Sequence, residues 1–383
     1  MYRKFTADQI FTGYEILPDP AVLICNADGE VIDLIPRADA GDDIIYNPGM
    51  LSPGLVNAHC HLELSHLKGK IPKRTGLVGF VQQVMILRNS GEEEIAAAME
   101  KAEASMLHTG IVAVGDICNS SESIRQKLKQ HLYYHNFIEA AGFPPEAATV
   151  RFERAEKIYQ LFRENNLAAN IVPHAPYSVS PQLLNKMIDY EGNDRFSMHN
   201  QEDEAEEQLF HQGNGGFIDF YQQLNIDISF FNPPGTSSLR YLLPYFKTYR
   251  PLILVHNVFT SEADIMFANE LFPFVSAPLY FCLCANANLY INNRLPDIDM
   301  LMKHQCNLVL GTDSLASNDQ LSIMEEIHTI SKHFPQVPLS VMLRWATSNG
   351  AAALGVDHWA GSFGKGKKPG VICLNEGNVK RII

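Results

Sequence analysis

The chain has 383 residues, with 30 Lys+Arg against 43 Asp+Glu and a formal net charge of −13 when histidine is neutral. Forty-six per cent of residues are hydrophobic and 19% are charged, enough apolar material for a sizeable core, which excludes wholesale disorder. The acidic balance repels phosphate backbones and argues against nucleic acid as a partner.

In chain order, the first ten residues, from Met1 to Ile10, lack the apolar core of a secretory signal. Two apolar runs, Ala21–Cys25 and Val31–Ile35, flank Asp28-Gly29 and predict a hairpin. Short apolar runs then follow at Leu55–His61, Gly110–Ile117, Leu132–Glu139, Ala168–His174, Phe196–His199, Leu252–His256, Phe274–Leu283 and Asn307–Asp313. Helix-like segments at Gly79–Arg88, Glu92–Leu107, Val150–Asn165, Pro181–Tyr190, Ala263–Asn269 and Ile298–His304 lie between most of them. Alternation of continuous apolar strands with helices predicts an α/β fold with a parallel sheet, and eight strands predict a (β/α)8 TIM-like barrel. The chain closes with two more strand-like runs, Gly370–Leu374 and Val379–Ile383. Neither end could bury a core alone, so the N- and C-terminal segments are expected to pair into a small β-sandwich. The expected division is 1–51 with 355–383 for the sandwich and 52–354 for the barrel.

The uncharged stretch from Leu271 to Asn293 contains Pro273, Pro278 and four asparagines, whereas a membrane-spanning helix needs about 20 mostly apolar residues. It reads as a buried strand and loop, and no membrane partner is expected. Seven scattered cysteines show no disulfide spacing and read as reduced thiols, which points to the cytoplasm.

Polar residues stand where the apolar runs stop: His59 and His61 at the first, His174 at the fourth, His199 at the fifth, His256 at the sixth and Asp313 at the eighth. In a (β/α)8 barrel the C-terminal strand ends build the active face, so these residues are expected to converge. His59 and His61, two apart on a strand, point the same way and can share a metal ion. An isolated pair of this kind is more often hydrogen-bonded, but Pro53-Gly54 and the apolar strand before it favour the metal. Asp313 alone would read as the N-cap of a helix, yet beside three histidines it reads as a hard oxygen ligand. Glu202 follows His199 by three positions, which places a carboxylate beside the metal without ligating it, as a general acid/base requires. The neighbouring Asp203, Glu204, Glu206 and Glu207 read as an acidic first helical turn facing water. No phosphate-binding loop, dinucleotide fingerprint, nucleophile elbow or HExxH helix is present.

Five segments carry a resemblance: Pro53–Ser65, Pro173–Ser180, Ser197–Glu202, Leu254–Asn257 and Gly311–Asn318. In this order they resemble the amidohydrolase superfamily, specifically its aminohydrolase/chlorohydrolase branch, which includes guanine, adenosine-type and aminodeoxyfutalosine deaminases. The resemblance implies that His59, His61, His199 and Asp313 hold one divalent metal, zinc first, with Fe2+, Ni2+ or Mn2+ as alternatives. It implies that His256 and Asp313 orient the water, that Glu202 shuttles protons and that His174 contacts substrate. The fourth-strand segment Leu167–His174 has no lysine, which favours a single metal over two. Arg294, in the loop after the seventh strand, is a candidate for gripping a substrate carboxylate or carbonyl, and Ser65 a candidate for the pocket wall. After the seventh strand the branch usually shows Cys-Pro and a Ser-Asn pair, where this chain has Cys284-Ala-Asn-Ala-Asn288.

The expected function is deamination of a small N-heterocyclic substrate, purine-, pterin- or aminodeoxyfutalosine-like, by metal-bound hydroxide with release of ammonia. Chlorohydrolysis or cyclic amide opening with the same metal water is the alternative, followed by a metal-binding barrel without turnover. The resemblance extends to self-association as a homodimer.

Overall fold

A computed structural model describes residues 2–246, 250–271 and 278–383. Four strands come first: β1 (Tyr2–Ile10), β2 (Ala21–Asn26), β3 (Val31–Pro36) and β4 (Ile44–Pro53). The central eight are β5 (Leu55–Cys60), β6 (Ile111–Cys118), β7 (Tyr133–Ala140), β8 (Ala169–Pro173), β9 (Phe196–Asn200), β10 (Leu252–His256), β11 (Leu279–Leu283) and β12 (Asn307–Leu310). β13 (Val371–Asn375) and β14 (Asn378–Arg381) close the chain. The seventh expected strand begins at residue 274, and 274–277 lie outside the described residues.

The terminal strands form one six-stranded mixed sheet in the order β14-β13-β4-β1-β2-β3. β2 and β3 are antiparallel across the Asp28-Gly29 turn, as the flanking apolar runs require. β13 runs antiparallel to β4, with Val371 opposite Pro53, so the last strands sit against the segment that leads into β5. The described strand pairs give this region one sheet, with an apolar face of Phe5, Leu23, Leu51, Phe363 and Val371.

The central strands make two four-stranded parallel sheets, β5-β6-β7-β8 and β9-β10-β11-β12, an α/β arrangement with helices between successive strands. β5, β6, β8, β9, β10 and β11 are buried along their whole length, so both faces of each strand are covered and the sequence does not alternate between an inner apolar and an outer polar face. The sheets meet at both edges. The His199 N–H donates to the His174 carbonyl at 2.9 Å, and the N–H groups of Thr312 and Asp313 donate to the His59 carbonyl at 3.0 and 3.1 Å.

The helices that return the chain between strands carry their apolar residues toward this core. In Glu92–His108, Ile95, Met99, Ala102 and Met106 are buried at spacings of three and four, one stripe of a helix. Among the described residues no helix is long and apolar enough to cross a membrane.

Candidate active site

The close approach of β12 to β5 starts the site. A Cβ on Gly311 would stand 2.8 Å from both the His59 Cβ and the Cys282 Sγ, so only glycine lets the chain after β12 lie there. Asn57 then ties the two strands together: its Nδ2 donates to Thr312 Oγ1 at 2.8 Å, and its Oδ1 accepts the Thr312 N–H at 3.1 Å. Residues 255 positions apart are thereby locked in register, and Asp313 arrives beside His59 and His61.

Asp313 Oδ1 lies 3.5 Å from His59 Nε2 and 3.4 Å from His61 Nε2. Its other oxygen accepts from Ser317 Oγ. The His59 and His199 rings are 4.9 Å apart, edge to face, and His61 and His199 are 5.4 Å apart. His59, His61 and His199 each offer a nitrogen to one small volume, and His59, His256 and Asp313 offer a second overlapping set. Both ring nitrogens of His59 and the Nε2 of His199 are buried with no hydrogen-bond partner among the described residues. Buried imidazole nitrogens without partners are costly unless something else takes their lone pairs.

Acid–base groups surround this cluster. His256, fully buried at the end of β10, has its Nε2 3.0 Å from His199 Nδ1 and 3.5 Å from Glu202 Oε1. Its Nδ1 meets the Asn288 side-chain amide at 2.9 Å. His256, Asn257, Asp313 and Gln201 all have positive φ, between 47° and 78°, a region that residues other than glycine seldom adopt. Four such residues at strand ends around one cluster mark local strain held by the surrounding packing.

Burial dominates the electrostatics. It pushes the Glu202 carboxyl well above the usual carboxylate range, and the charges of Asp313, Asp203 and Glu206 add to the effect. It lowers His61 to about 3 and His174 to about 4. Burial alone would raise Asp313, but the imidazoles of His59, His61 and His256 beside it hold it well below its ordinary value. Glu139 at the end of β7 is likewise held low against burial, by His174 and His199.

A cavity of about 530 Å³ opens above the cluster and is lined at its base by His61, Glu139, His174, His199, Glu202 and Asp313. The residues expected at strand ends therefore converge, and His174 faces the same space. Two substrate-contact expectations need correction. Arg294 is not among the described residues lining the cavity; its guanidinium stacks on the Phe259 ring at 4.1 Å. Ser65 is absent from that lining too, because it lies in the short helical turn Leu62–Leu67 and spends its hydroxyl on the Leu62 carbonyl at 2.7 Å. Leu64, Phe80 and Arg88 do line it.

Glu206 also departs from expectation. The acidic run after Glu202 read as water-facing, yet Glu206 is fully buried and accepts the backbone N–H of Gln201 at 3.1 Å and of Glu202 at 3.3 Å. The helix Glu204–Gln212 turns that one position inward, with Asp203 as its N-cap. Asn288, inside the segment that departs from the branch pattern, supplies the partner of His256. Glu139 had no signal beyond ending an apolar run.

The model of the amidohydrolase family matches residues 50–382, and the chain belongs to that family. It is 23% identical to the 5-methylthioadenosine/S-adenosylhomocysteine deaminase of Saccharophagus degradans, over 100% of this chain and 86% of that one. It superposes with a TM-score of 0.81 and 21% identity on the aminofutalosine deaminase of Helicobacter pylori in complex with methylthio-coformycin, covering 98% and 93% of the two chains. An adenosine deaminase from Xanthomonas campestris with bound zinc superposes with a TM-score of 0.73 at 23% identity, covering 97% and 84%.

Proposed function

We propose, from membership of the amidohydrolase family, that the chain is a metal-dependent aminohydrolase that removes the exocyclic amine of an N-heterocycle as ammonia. Within that class we favour an aminopurine nucleoside, because the relatives just described are named for such substrates. The observation that carries the reading is a buried Glu202 placed 3.5 Å from His256, beside a set of ligand atoms that share no hydrogen bonds.

His59, His61, His199 and Asp313 fit a divalent cation. Ligands bonded at 2.0–2.1 Å to a tetrahedral ion stand roughly 3.3–3.4 Å from one another, and the nitrogen–oxygen separations of 3.4 and 3.5 Å match that spacing while being long for hydrogen bonds. Three imidazoles and a carboxylate suit zinc, our assignment, and also Fe2+, Ni2+ and Mn2+. A bound divalent cation supplies the Lewis acidity that makes water a competent nucleophile near neutral pH.

The side chains of the protein do the rest. Asp313 Oδ1 and His256 Nε2 flank the place from which a nucleophile would approach the ring carbon. Asn288 fixes the His256 ring, and the hydrogen bond from Ser317 fixes Asp313. Glu202 donates its proton to the ring nitrogen adjacent to the attacked carbon, then takes the proton of the hydroxyl added at that carbon and passes it to the amine, which leaves as ammonia while the carbonyl forms. Glu206 and Asn292, which hold the Glu202 backbone N–H and carbonyl, keep that carboxyl in place. We also read β5 to β12 as one closed (β/α)8 barrel over 52–354, with 1–51 and 355–383 as the small β-domain. The hydrogen bonds between β8 and β9 ends and between His59 and Thr312 support closure.

Glu202→Gln tests the function. Ammonia release from aminopurine nucleosides should fall by about 10²–10⁴-fold, while metal content per chain stays that of the wild type. A Glu202→Gln enzyme with undiminished turnover sinks the reading.

A further inference from the structure

A buried ion pair on β6 has no part in the chemistry proposed above. The side chains of Lys127 and Asp116 are both closed to solvent, and Lys127 Nζ lies 2.5 Å from Asp116 Oδ2. Asp116 belongs to β6, and Lys127 to the short helix Ile124–Lys127 that follows it. The ammonium also meets Cys118 Sγ at 3.1 Å and stands 5.1 Å from the centres of both the Tyr134 and Phe162 rings. Burial alone would lower its pKa, but Asp116 beside it raises it above the ordinary lysine value, so the ammonium keeps its charge.

The other oxygen of Asp116 acts on the segment that carries His59 and His61. Oδ1 accepts the Leu62 N–H at 2.8 Å, across 54 positions of sequence. The last partners of the β5–β6 ladder are Cys60 and Asp116. His61 is where the chain leaves the sheet: its φ of −122° and ψ of 81° lead straight into the turn Leu62–Leu67. The Leu62 N–H therefore has neither a ladder acceptor nor a helical one, and the Asp116 side chain supplies it. On the same peptide, the His61 carbonyl accepts the Leu64 N–H at 3.1 Å. With both its N–H and its carbonyl held, this peptide plane cannot rotate, and the Cα from which the His61 ring leaves is fixed with it.

A buried ion pair is commonly no more stabilising than apolar side chains of equal volume, whereas no apolar side chain can accept the Leu62 N–H. We infer that Asp116, held by Lys127, is a positioning residue for the metal ligand His61, and that its hydrogen bond to Leu62 sets how tightly the cation is bound. This rests on the reading of His61 as a metal ligand. A group that orients a ligand from outside in this way is worth about 10–100-fold in metal affinity.

The test uses paired substitutions in the full chain that remove both charges. Asp116→Asn with Lys127→Met keeps an acceptor for the Leu62 N–H, and Asp116→Leu with Lys127→Met deletes it at similar volume. Competition with a chromophoric chelator reads zinc affinity, and denaturant unfolding of the metal-free proteins reads the fold by itself. The Asn pair should bind zinc within about threefold of the wild type and the Leu pair about 10- to 100-fold more weakly, with metal-free unfolding midpoints that agree with each other. If the Leu pair does not fold, Asp116→Val with Lys127→Met, a better strand former, takes its place with the same expected result. Equal zinc affinity with and without the acceptor overturns the inference. So does a weaker affinity matched by an equally lowered metal-free midpoint, which would make Asp116 a residue of the fold alone. A wild type that holds no divalent ion sinks the metal reading and the inference together. A chain that holds zinc through Asp116 yet releases no ammonia from aminopurine nucleosides keeps the inference and loses the deaminase reading.

Discussion

The base of the cavity and the apolar sleeve above it are built on different principles. At the base, the chemistry-bearing side chains sit on strand ends or within a few residues of one, and several are fixed by a neighbour: Asp313 by Ser317, His256 by Asn288, the Glu202 backbone by Glu206 and Asn292. In the sleeve, the side chains come from the helices Gly76–Leu87 and Gly216–Gln223 and the turn around Phe143, and several are partly exposed. Strands locked by their own ladder hold atoms to fractions of an ångström, as bond-making requires. Helix and loop walls need only shape and apolarity, as selection between substituents requires. Variants of the base should therefore damage metal binding and kcat, and variants of the sleeve should move KM between substrates.

The largest expected effect is at the ligands. Asp313→Ala should lose its bound metal and its turnover together, with an affinity loss beyond the roughly 10–100-fold that removal of an outer partner costs; metal analysis after dialysis reads it. If this variant keeps a full complement of tightly bound metal, Asp313 is not a ligand. Next comes Gly311→Ala, which changes no functional group. Its methyl group must push His59 or Cys282 aside, for about 1–3 kcal/mol of lost stability. Denaturant unfolding checks the stability, and weaker metal retention would show that the β5–β12 approach sets the ligand geometry.

The sleeve gives a smaller and more selective signal. Met85 is 44% exposed and Leu224 is 37% exposed, and both line the cavity. Met85→Ala and Leu224→Ala should barely change unfolding, leave kcat near wild type and raise KM about 3- to 10-fold for substrates with a bulky apolar arm. Each removes apolar surface that is worth about 25 cal/mol per Å² when buried by ligand. An equal KM increase for substrates without the arm would mean that the sleeve does not discriminate.

The same contrast explains what could be read before any coordinates. Strand ends were legible, because an apolar run that stops at a histidine or aspartate marks both the strand and the direction of its last side chain. His59, His61, His174, His199, His256 and Asp313 came from that pattern. Residues fixed by tertiary contacts were not. Arg294 looked like a loop cation near the mouth, but Phe259, 35 positions away in sequence, holds it outside the cavity. Ser65 lies close to the metal motif, yet a local helical turn consumes its hydroxyl. Asp116 and Asn288 matter only through what they hold, and neither Glu139 nor His256 announces its partner in sequence. The terminal strands were partly legible: the hairpin showed its turn, while β1, with its mixed burial, found its place only through pairing with β2 and β4.

Glu206 separates base from surface in a way that pH can probe. Its helix phase could not be judged from a run of acids, yet it is fully buried, and burial raises its pKa to about 8 from an ordinary 4.5. Because the folded value exceeds the unfolded one, its stabilising contribution is complete below about pH 4.5 and is lost as pH rises through about 8. Glu326, raised to about 8, and Glu63, raised to about 7, add slopes of the same sign. The melting temperature of the wild type should therefore carry a downward component between pH 5 and 8. Glu206→Gln should flatten that component, and its melting temperature relative to wild type should rise from acid to alkaline pH. An unchanged slope would place the Glu206 charge in water, as a surface acid, and would remove its role in holding the backbone of Glu202.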